Sequence, residues 1–459
     1  MSFAFGFDVT LGSTALGNVL AAYQLNGLPH AFGVDFANGI YFGPDAGGDT
    51  VVLPLSDVIV ASTGTGGCDI NAAGEGVNFG DNEVVIGYQT GFGLTGCNFP
   101  GAATNLIASN INAFTALSGA SIVDNPDNGV LKNQTISGTV GASRFQAGFN
   151  TTGGQPYHAS VTFNAVGATT TDLRVVLNAS DGTNNRSIAV GVDCTANPPA
   201  VHSFQQFLGS TGTVWGGRGT RVVPIVGSMY RLELWGTAEI TGTLSGIEIQ
   251  PDDTGGTNSA VIHHVQVTNT DHFVGYISPS DSPNASRMEK TYSIGARCLA
   301  AVQSAEDITI LMAGAQMEDG SGGAERNGFF SANVSGNQDQ TWSVFDEGSA
   351  RGLRFRRGEA NNRELDTISL VHPSGRSDFR IGVSIDTSAQ AVAGRTAADA
   401  GTTFAIGVVL NLALLTSMRV ADVDFGSATW NRPLPGGLSA FHGNLNAATA
   451  AQLGEFTNG

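Results

Sequence analysis

Apolar and polar residues alternate with a period of two along most of this chain. In Met229-Tyr230-Arg231-Leu232-Glu233-Leu234-Trp235-Gly236, three apolar side chains face one way and Arg231, Glu233 and Trp235 face the other. One of those faces must be core, and the other meets solvent or a ligand. The same pattern predicts strands over 142–149, 157–166, 172–179, 187–192, 201–207, 221–226, 229–236, 243–249, 260–267 and 273–277. Turn clusters such as Thr152-Gly153-Gly154 and Ser180-Asp181-Gly182-Thr183-Asn184-Asn185 separate them at the spacing of a β-sandwich. A second run covers 308–313, 328–334, 340–346, 352–356, 367–372, 379–385, 403–410, 417–423 and 436–444. It closes on a helix over 446–456 with Asn446 as its cap.

The first hundred residues are patterned differently. Short strands are predicted at 3–7, 32–36, 50–53, 58–61, 77–79 and 84–88, and one helix at 13–24 with Ser13 as cap. Between this part and the sandwich runs lies Leu94 to Asn110. There Pro100-Gly101 punctuates the chain, and Asn105 to Asn110 brackets three apolar residues with turn formers. That stretch reads as a junction rather than a site. The expected fold is therefore all-β: a small β-rich module over 1–104, then two β-sandwich (jelly-roll) domains over 105–288 and 289–459.

Composition narrows the function. The 459 residues include 63 glycines, only 13% charged residues and 41% hydrophobic ones, which suits β-structure with many turns better than disorder. A net charge of −18 argues against nucleic acid and against an anionic lipid surface, both of which need clustered cations. The first cation is Lys132, so no secretory signal with a basic start is expected. The longest apolar patch, 404–415, is too short to span a membrane and carries Asn411, which fits a buried strand pair or short helix. Cys68, Cys97, Cys194 and Cys298 form no CxxC pair and have no close His. Buried free thiols made in a reducing compartment are expected, although Cys68 and Cys97 lie close enough in sequence to meet.

Candidate chemistry is sparse. Sugar-binding sites stack aromatic rings on pyranose CH groups, so the tryptophans come first. Trp215 in the Gly-rich loop Thr213-Val214-Trp215-Gly216-Gly217-Arg218 is the leading candidate for an exposed ring. Arg218 beside it suits a glycan hydroxyl or carboxylate, and Trp235 is the third candidate. The alternative is that Trp215 plugs the end of the sandwich and that Trp235, Trp342 and Trp430 pack in cores.

Hydrolysis would need paired carboxylates facing one cleft. Glu364-Leu365-Asp366 and Asp422-Val423-Asp424 each lack a further partner, and Glu359 sits in an Arg-rich stretch. No nucleophile elbow, zinc helix or phosphate loop occurs, so no enzymatic activity is expected. His263 and His264 alternate across a strand and suit no shared metal. No cofactor is expected, save that Asp124-Asn125-Pro126-Asp127-Asn128-Gly129 and Pro251-Asp252-Asp253 offer oxygens to Ca2+, or else form ordinary Asx turns. Arg351, Arg354, Arg356, Arg357 and Arg363, interleaved with acidic residues, suit salt bridges between domains or subunits, and secondly an anionic polysaccharide.

Several phrases together resemble bacteriophage virion surface proteins of the tail or head fibre type. Gly91-Phe92-Gly93-Leu94 followed by Gly101-Ala102-Ala103-Thr104-Asn105-Leu106-Ile107 resembles a junction that precedes a carbohydrate-binding-module-like jelly roll in such proteins. Tyr157 to Phe163 looks like that module's early strand, and Met229 to Ala238 like its "WYRVxVTGTA" strand. Phe273 to Pro279 resembles its closing "SYIPT", while Gln266 alone matches its "GAQLE" phrase. Asp307 to Ala313 and Phe441 to Leu453 resemble the opening and closing elements of a laminin-G or concanavalin A-like domain.

The resemblance implies a structural virion protein, assembled in the host cytoplasm, that touches other virion proteins and binds host surface polysaccharide during adsorption. It also leaves open a pure decoration protein without ligand, or a depolymerase. An all-β appendage can protect its exposed strand edges by oligomerising, so a homotrimer is expected, with no nucleic acid bound and no membrane insertion.

Overall fold

The computed structural model describes residues 28–62, 68–89, 94–98, 103–139, 143–165, 172–196, 198–208, 215–251, 257–271, 273, 275–287, 290–316, 326–335, 340–346, 353–357, 368–370, 377–405, 410–420, 431–433 and 436–458. Nearly all of its regular structure is strand, arranged as β-sandwiches. The expected strand at 3–7 and helix at 13–24 lie outside the described residues, as do the side chains of the 351–363 arginines, Glu359, Glu364, Asp366, Asp422, Asp424 and Trp430. Among the described residues no helix is long and apolar enough to cross a membrane.

The chain divides into two compact units, one from Ser62 to Lys290 and one that joins the residues up to Ala61 with Thr291–Gly459. This differs from the three-part division expected above, since the border at 104 falls inside the first of these units. The physical reason is visible in the strand His30–Asp35, buried along almost its whole length. A strand covered on both faces needs neighbours on both edges. It finds them in Ile40–Pro44 and in the strand Gly436–Leu445 near the other end of the chain, where Val34 lies opposite Phe441. Ile59–Ala61 likewise pairs with Tyr292–Ile294.

In the Ser62–Lys290 unit, two antiparallel six-stranded sheets face each other. One runs Thr115–Leu117, Arg144–Thr151, Gly242–Gln250, Asp172–Ser180, Asn185–Asp193, Ala200–Leu208. The other runs Ser121–Asp124, Gln134–Thr139, Thr257–Thr268, Pro156–Asn164, Met229–Thr237, Gly216–Val226. Their inner faces meet through Phe145, Leu177, Ile188 and Ile247 on one side and Val161, Phe163, Leu232, Leu234 and Val265 on the other. The alternation at 229–236 is thus resolved: Tyr230, Leu232 and Leu234 are core.

The junction stretch enters this sandwich through Asn105, which is fully buried. Its Oδ1 accepts from the Val267 N–H at 2.8 Å, and its Nδ2 donates to Ser109 Oγ at 3.0 Å and to the Val265 carbonyl. A hairpin of Cys68–Ile70 and Gly76–Asn78 packs against Leu131, Ile225, Met229 and Tyr276. It comes so close to Gly129, at φ +67°, that a Cβ there would collide with the Gly76 carbonyl. Among the described residues of the strand expected at 273–277, which are 273 and 275–277, no strand forms, and Tyr276 makes an isolated bridge to Cys68.

The other unit packs an eight-strand path, from Thr50–Val52 to Asp399–Ala405, on a second sheet that includes Arg326–Asn333 and Trp342–Asp346. Phe329–Phe379 and Phe330–Phe441 ring pairs join the two sheets, and Trp342 is core against Phe330. The C-terminal helix is Ala450–Thr457, shorter than expected. Asn446 sits at φ +116°, outside helical geometry, and the cap is Thr449 in a reciprocal capping box with Gln452. All four cysteines are buried.

Candidate functional site

The outer face of the second sheet in the Ser62–Lys290 unit gathers most of that unit's chemistry. Strand register sets Trp235 beside His158 and Gly219, Glu233 beside Ser160 and Arg221, and Arg231 beside Thr162. On the far side of the Pro156–Asn164 strand, Thr268, Gln266 and His264 continue the same three rows. Each of these pairs shares a face because antiparallel partners point the same way.

Glu233 organises the middle row. Its carboxylate is fully buried, and Arg221 reaches it through Nε at 2.8 Å and Nη2 at 2.7 Å. Arg231 Nε donates to the other oxygen at 2.7 Å, and His158 Nε2 lies 3.2 Å from the first. Burial alone would raise the Glu233 carboxyl, but Arg231, Arg221 and the His158 contact outweigh it and hold it well below the usual carboxylate range. Arg231 in turn lies under Phe273, its guanidinium carbon 3.6 Å from the ring centroid.

Trp235 occupies the open end of this face and is half-buried. The benzene part of its indole lies over the Cα of Gly219, where any Cβ would collide with Cζ2 and Cε2. The His158 ring runs parallel to the indole within 10°, and the Arg221 guanidinium carbon stands 5.6 Å from its centroid. A ring laid across a glycine between a cation and a second ring is a platform of the kind on which a sugar's CH face can stack.

The predicted site residues are not brought together. Trp215 is fully buried in the sandwich core, donates its indole N–H to the Arg186 carbonyl at 3.0 Å and packs edge-on to Tyr157. It plugs the sandwich and cannot stack on a ligand, which corrects the expectation of an exposed ring. A Cβ on Gly236 would touch Trp215 and the Cβ of Arg218, so these two belong to the face opposite Trp235. Arg218 is exposed and donates to the Trp215 carbonyl at 2.9 Å. Of the three, Trp235 alone belongs to the polar face. Sequence reasoning missed His158, Arg221 and Glu233 as its companions, although the period-two pattern had already set Arg231, Glu233 and Trp235 on one side.

The candidate Ca2+ loop does not converge. Asp124 accepts from Asn112 and Gln134, and Asp127 pairs with Lys132 at 2.9 Å. Asp252 and Asp253 lie outside the described residues. His263 bonds the Lys132 carbonyl and His264 the Ile277 carbonyl, in separate places. Among the described residues no group of three or more His, Cys, Asp or Glu side chains is arranged to hold a metal ion.

No protein-family model matches the chain, and no curated protein matches it. Among solved structures it is similar to the Ruminococcus gnavus IT-sialidase CBM40 bound to α2,3-sialyllactose, at 12% identity and a TM-score of 0.29, over 35% of this chain and 88% of that one. It is also similar to the NanB sialidase of Streptococcus pneumoniae, at 11% identity and a TM-score of 0.27, over 33% of this chain and 24% of that one. A Trypanosoma rangeli sialidase matches at 10% identity and a TM-score of 0.26, over 87% of this chain and 77% of that one. Because these similar structures include sialidases, the expectation of a chain without enzymatic activity is withdrawn. At such TM-scores the likeness itself carries no argument for a reaction or a ligand.

Proposed function

We propose that the outer face around Trp235 binds glycan, in a protein displayed on a bacteriophage particle where it meets host surface polysaccharide during adsorption. The observation that carries the binding reading is the half-buried Trp235 indole resting on Gly219 between Arg221 and His158. Its stacking surface and the adjacent guanidinium donors supply the two contacts a sugar needs, an apolar CH face and a hydrogen-bonded hydroxyl. Glu233 acts through Arg221 and is a positioning residue. The setting on a virion, alongside other virion proteins and as a homotrimer, is supported by the phrases around Gly101–Ile107 and Met229–Ala238.

A glycan array probed with the intact chain tests the binding. Retention of at least one glycan, weakened about fivefold or more by Trp235→Ala, is expected, since stacking on one aromatic contributes on the order of 1 kcal/mol. An array that retains nothing sinks the reading. Reducing ends released from a retained polysaccharide would add hydrolysis to binding. Gold-labelled antibody on intact particles tests the virion setting, and sedimentation equilibrium at micromolar protein tests the trimer.

A further inference from the structure

Among the described residues, the sandwich of the Ser62–Lys290 unit has four outer strands, and three are blunted against pairing with another chain. Thr115–Leu117 and Ser121–Asp124 are short, at three and four residues. Gly216–Val226 is broken by register shifts at Gly216/Gly219 and Pro224/Val226, and it carries Arg218, Arg221 and Pro224. Ala200–Leu208 is different. It runs for nine residues without Asp, Glu, Lys, Arg or Pro, and its register with Asn185–Asp193 is unbroken from Ser203 to Leu208. Among the described residues no strand lies along its other edge, and from Ala200 to Gln205 every residue except Ser203 is exposed.

The core is also open along this edge. Val201 lies opposite Val192 and Phe204 opposite Val190, and both partners are wholly buried in the core. Directly opposed residues share a face. Val201 and Phe204 therefore point inward as well, yet they are 38% and 39% exposed. Every second residue of an outer strand turns its N–H and C=O away from its neighbour. Here those groups border apolar side chains that a further strand would enclose.

We propose that a second copy of this chain pairs with this strand, antiparallel over Ser203–Leu208, about a two-fold axis normal to the sheet. Such a contact is isologous, since each copy presents the same donors, acceptors and apolar edge to the other. Charge selects a second copy as the occupant. Two chains of net charge −18 repel over most of their surfaces, and like charges directly opposite across strands destabilise. A strand without fixed charge is where two copies meet free of that cost, and it offers an oppositely charged partner nothing to read. Continuing the sheet across the axis encloses Phe204 between the two cores. The axis leaves the outer faces of both copies turned the same way, so both Trp235 platforms meet one glycan surface together. That joint use rests on the glycan reading; the pairing does not.

Sedimentation equilibrium of the intact chain tests the pairing. The contact gives a dimer, or a hexamer where the three-fold contact proposed above also forms. Phe204→Lys sets like charges across the axis and is expected to halve the mass. Gln205→Lys, on an exposed side chain of the opposite face, serves as second variant should Phe204→Lys fold poorly. Hydrogen exchange read by mass spectrometry gives the location. Peptides covering Ser203–Leu208 should exchange more slowly as protein concentration rises, and lose that dependence in the variant. A monomer or a trimer in the unmodified chain overturns the pairing. So does a mass that neither variant lowers, or exchange at Ser203–Leu208 that ignores concentration.

Retention on a dense glycan surface tests the joint use of the platforms. It should fall about tenfold or more in Phe204→Lys, although Trp235 is untouched, because avidity is lost. Equal retention by the halved assembly overturns the joint use. An empty array overturns the glycan reading and not the pairing, which the masses decide.

Discussion

Glu233 and Trp235 are two residues apart on one strand, face the same way, and should respond to mutation in opposite manners. Glu233 neutralises Arg231, which is itself 7% exposed. Glu233→Gln removes the only carboxylate that the described structure places on this guanidinium, and breaking a buried pair from one side costs about 3–5 kcal/mol. Chemical denaturation should show that loss. Trp235→Ala, at the open end, should cost no more than about 1 kcal/mol of stability and show its effect in glycan retention instead. Trp215→Ala should do the reverse, losing about 3–5 kcal/mol as a core cavity opens. Gly219→Val tests the platform from below: no functional group is lost, yet the indole must move off the strand, and binding should fall with it. Alternation in the sequence was enough to group Arg231, Glu233 and Trp235. It said nothing of Trp215, because a Gly-rich loop reads the same whether its aromatic residue turns outward or into the core.

Among the elements, strands with strict alternation were legible nearly to the residue, as at 229–236 against the observed Met229–Thr237. Elements defined by distant partners were not. His30–Asp35 looks like one short strand of an acidic N-terminal module, and only its pairing with Gly436–Leu445 shows that it is a central strand of the C-terminal sandwich. The segment at 273–277 has strand composition, but the Gln266 side chain takes up the Gly275 carbonyl and the Ile277 N–H that a neighbouring strand would otherwise bond. Asn105 shows the same economy at the junction, where one amide satisfies the Val267 N–H and reaches the Val265 carbonyl. Asn105→Ala should leave those groups buried and unpaired, at about 1–3 kcal/mol for each group that finds no water. Hydrogen exchange should then speed at Val267 before it speeds in the Asn185–Asp193 strand. Uniform exchange across both strands would mean that Asn105 is a passenger.

At the scale of the whole molecule, acid should weaken both units, through histidine before carboxylate. His264 in one unit is lowered to about 4 by burial, against a weaker opposing bond to the Ile277 carbonyl, with the titratable Tyr276 edge-on to its ring. His442 in the other is held well below 6.5 by burial and then by His30. A folded pKa below the unfolded one means that the unfolded chain binds more protons, so stability is complete above 6.5 and falls as the pH drops towards the folded value. For His264 that window runs from 6.5 to about 4. Each such group loses about 1.4 kcal/mol per pH unit within its window. The net charge of −18 pushes the other way, because protonating surface carboxylates relieves self-repulsion. That term acts between exposed charges and is largely screened beyond about 8 Å at physiological salt, whereas burial of an imidazole is not screened. The histidine term should therefore win at physiological salt, and urea midpoints of both units should be lower at about pH 5.5 than at about pH 7.5. His264→Leu and His442→Leu should each flatten the slope of their own unit alone. Midpoints that rise on acidification at physiological salt would show that relief of surface repulsion outweighs the buried histidines.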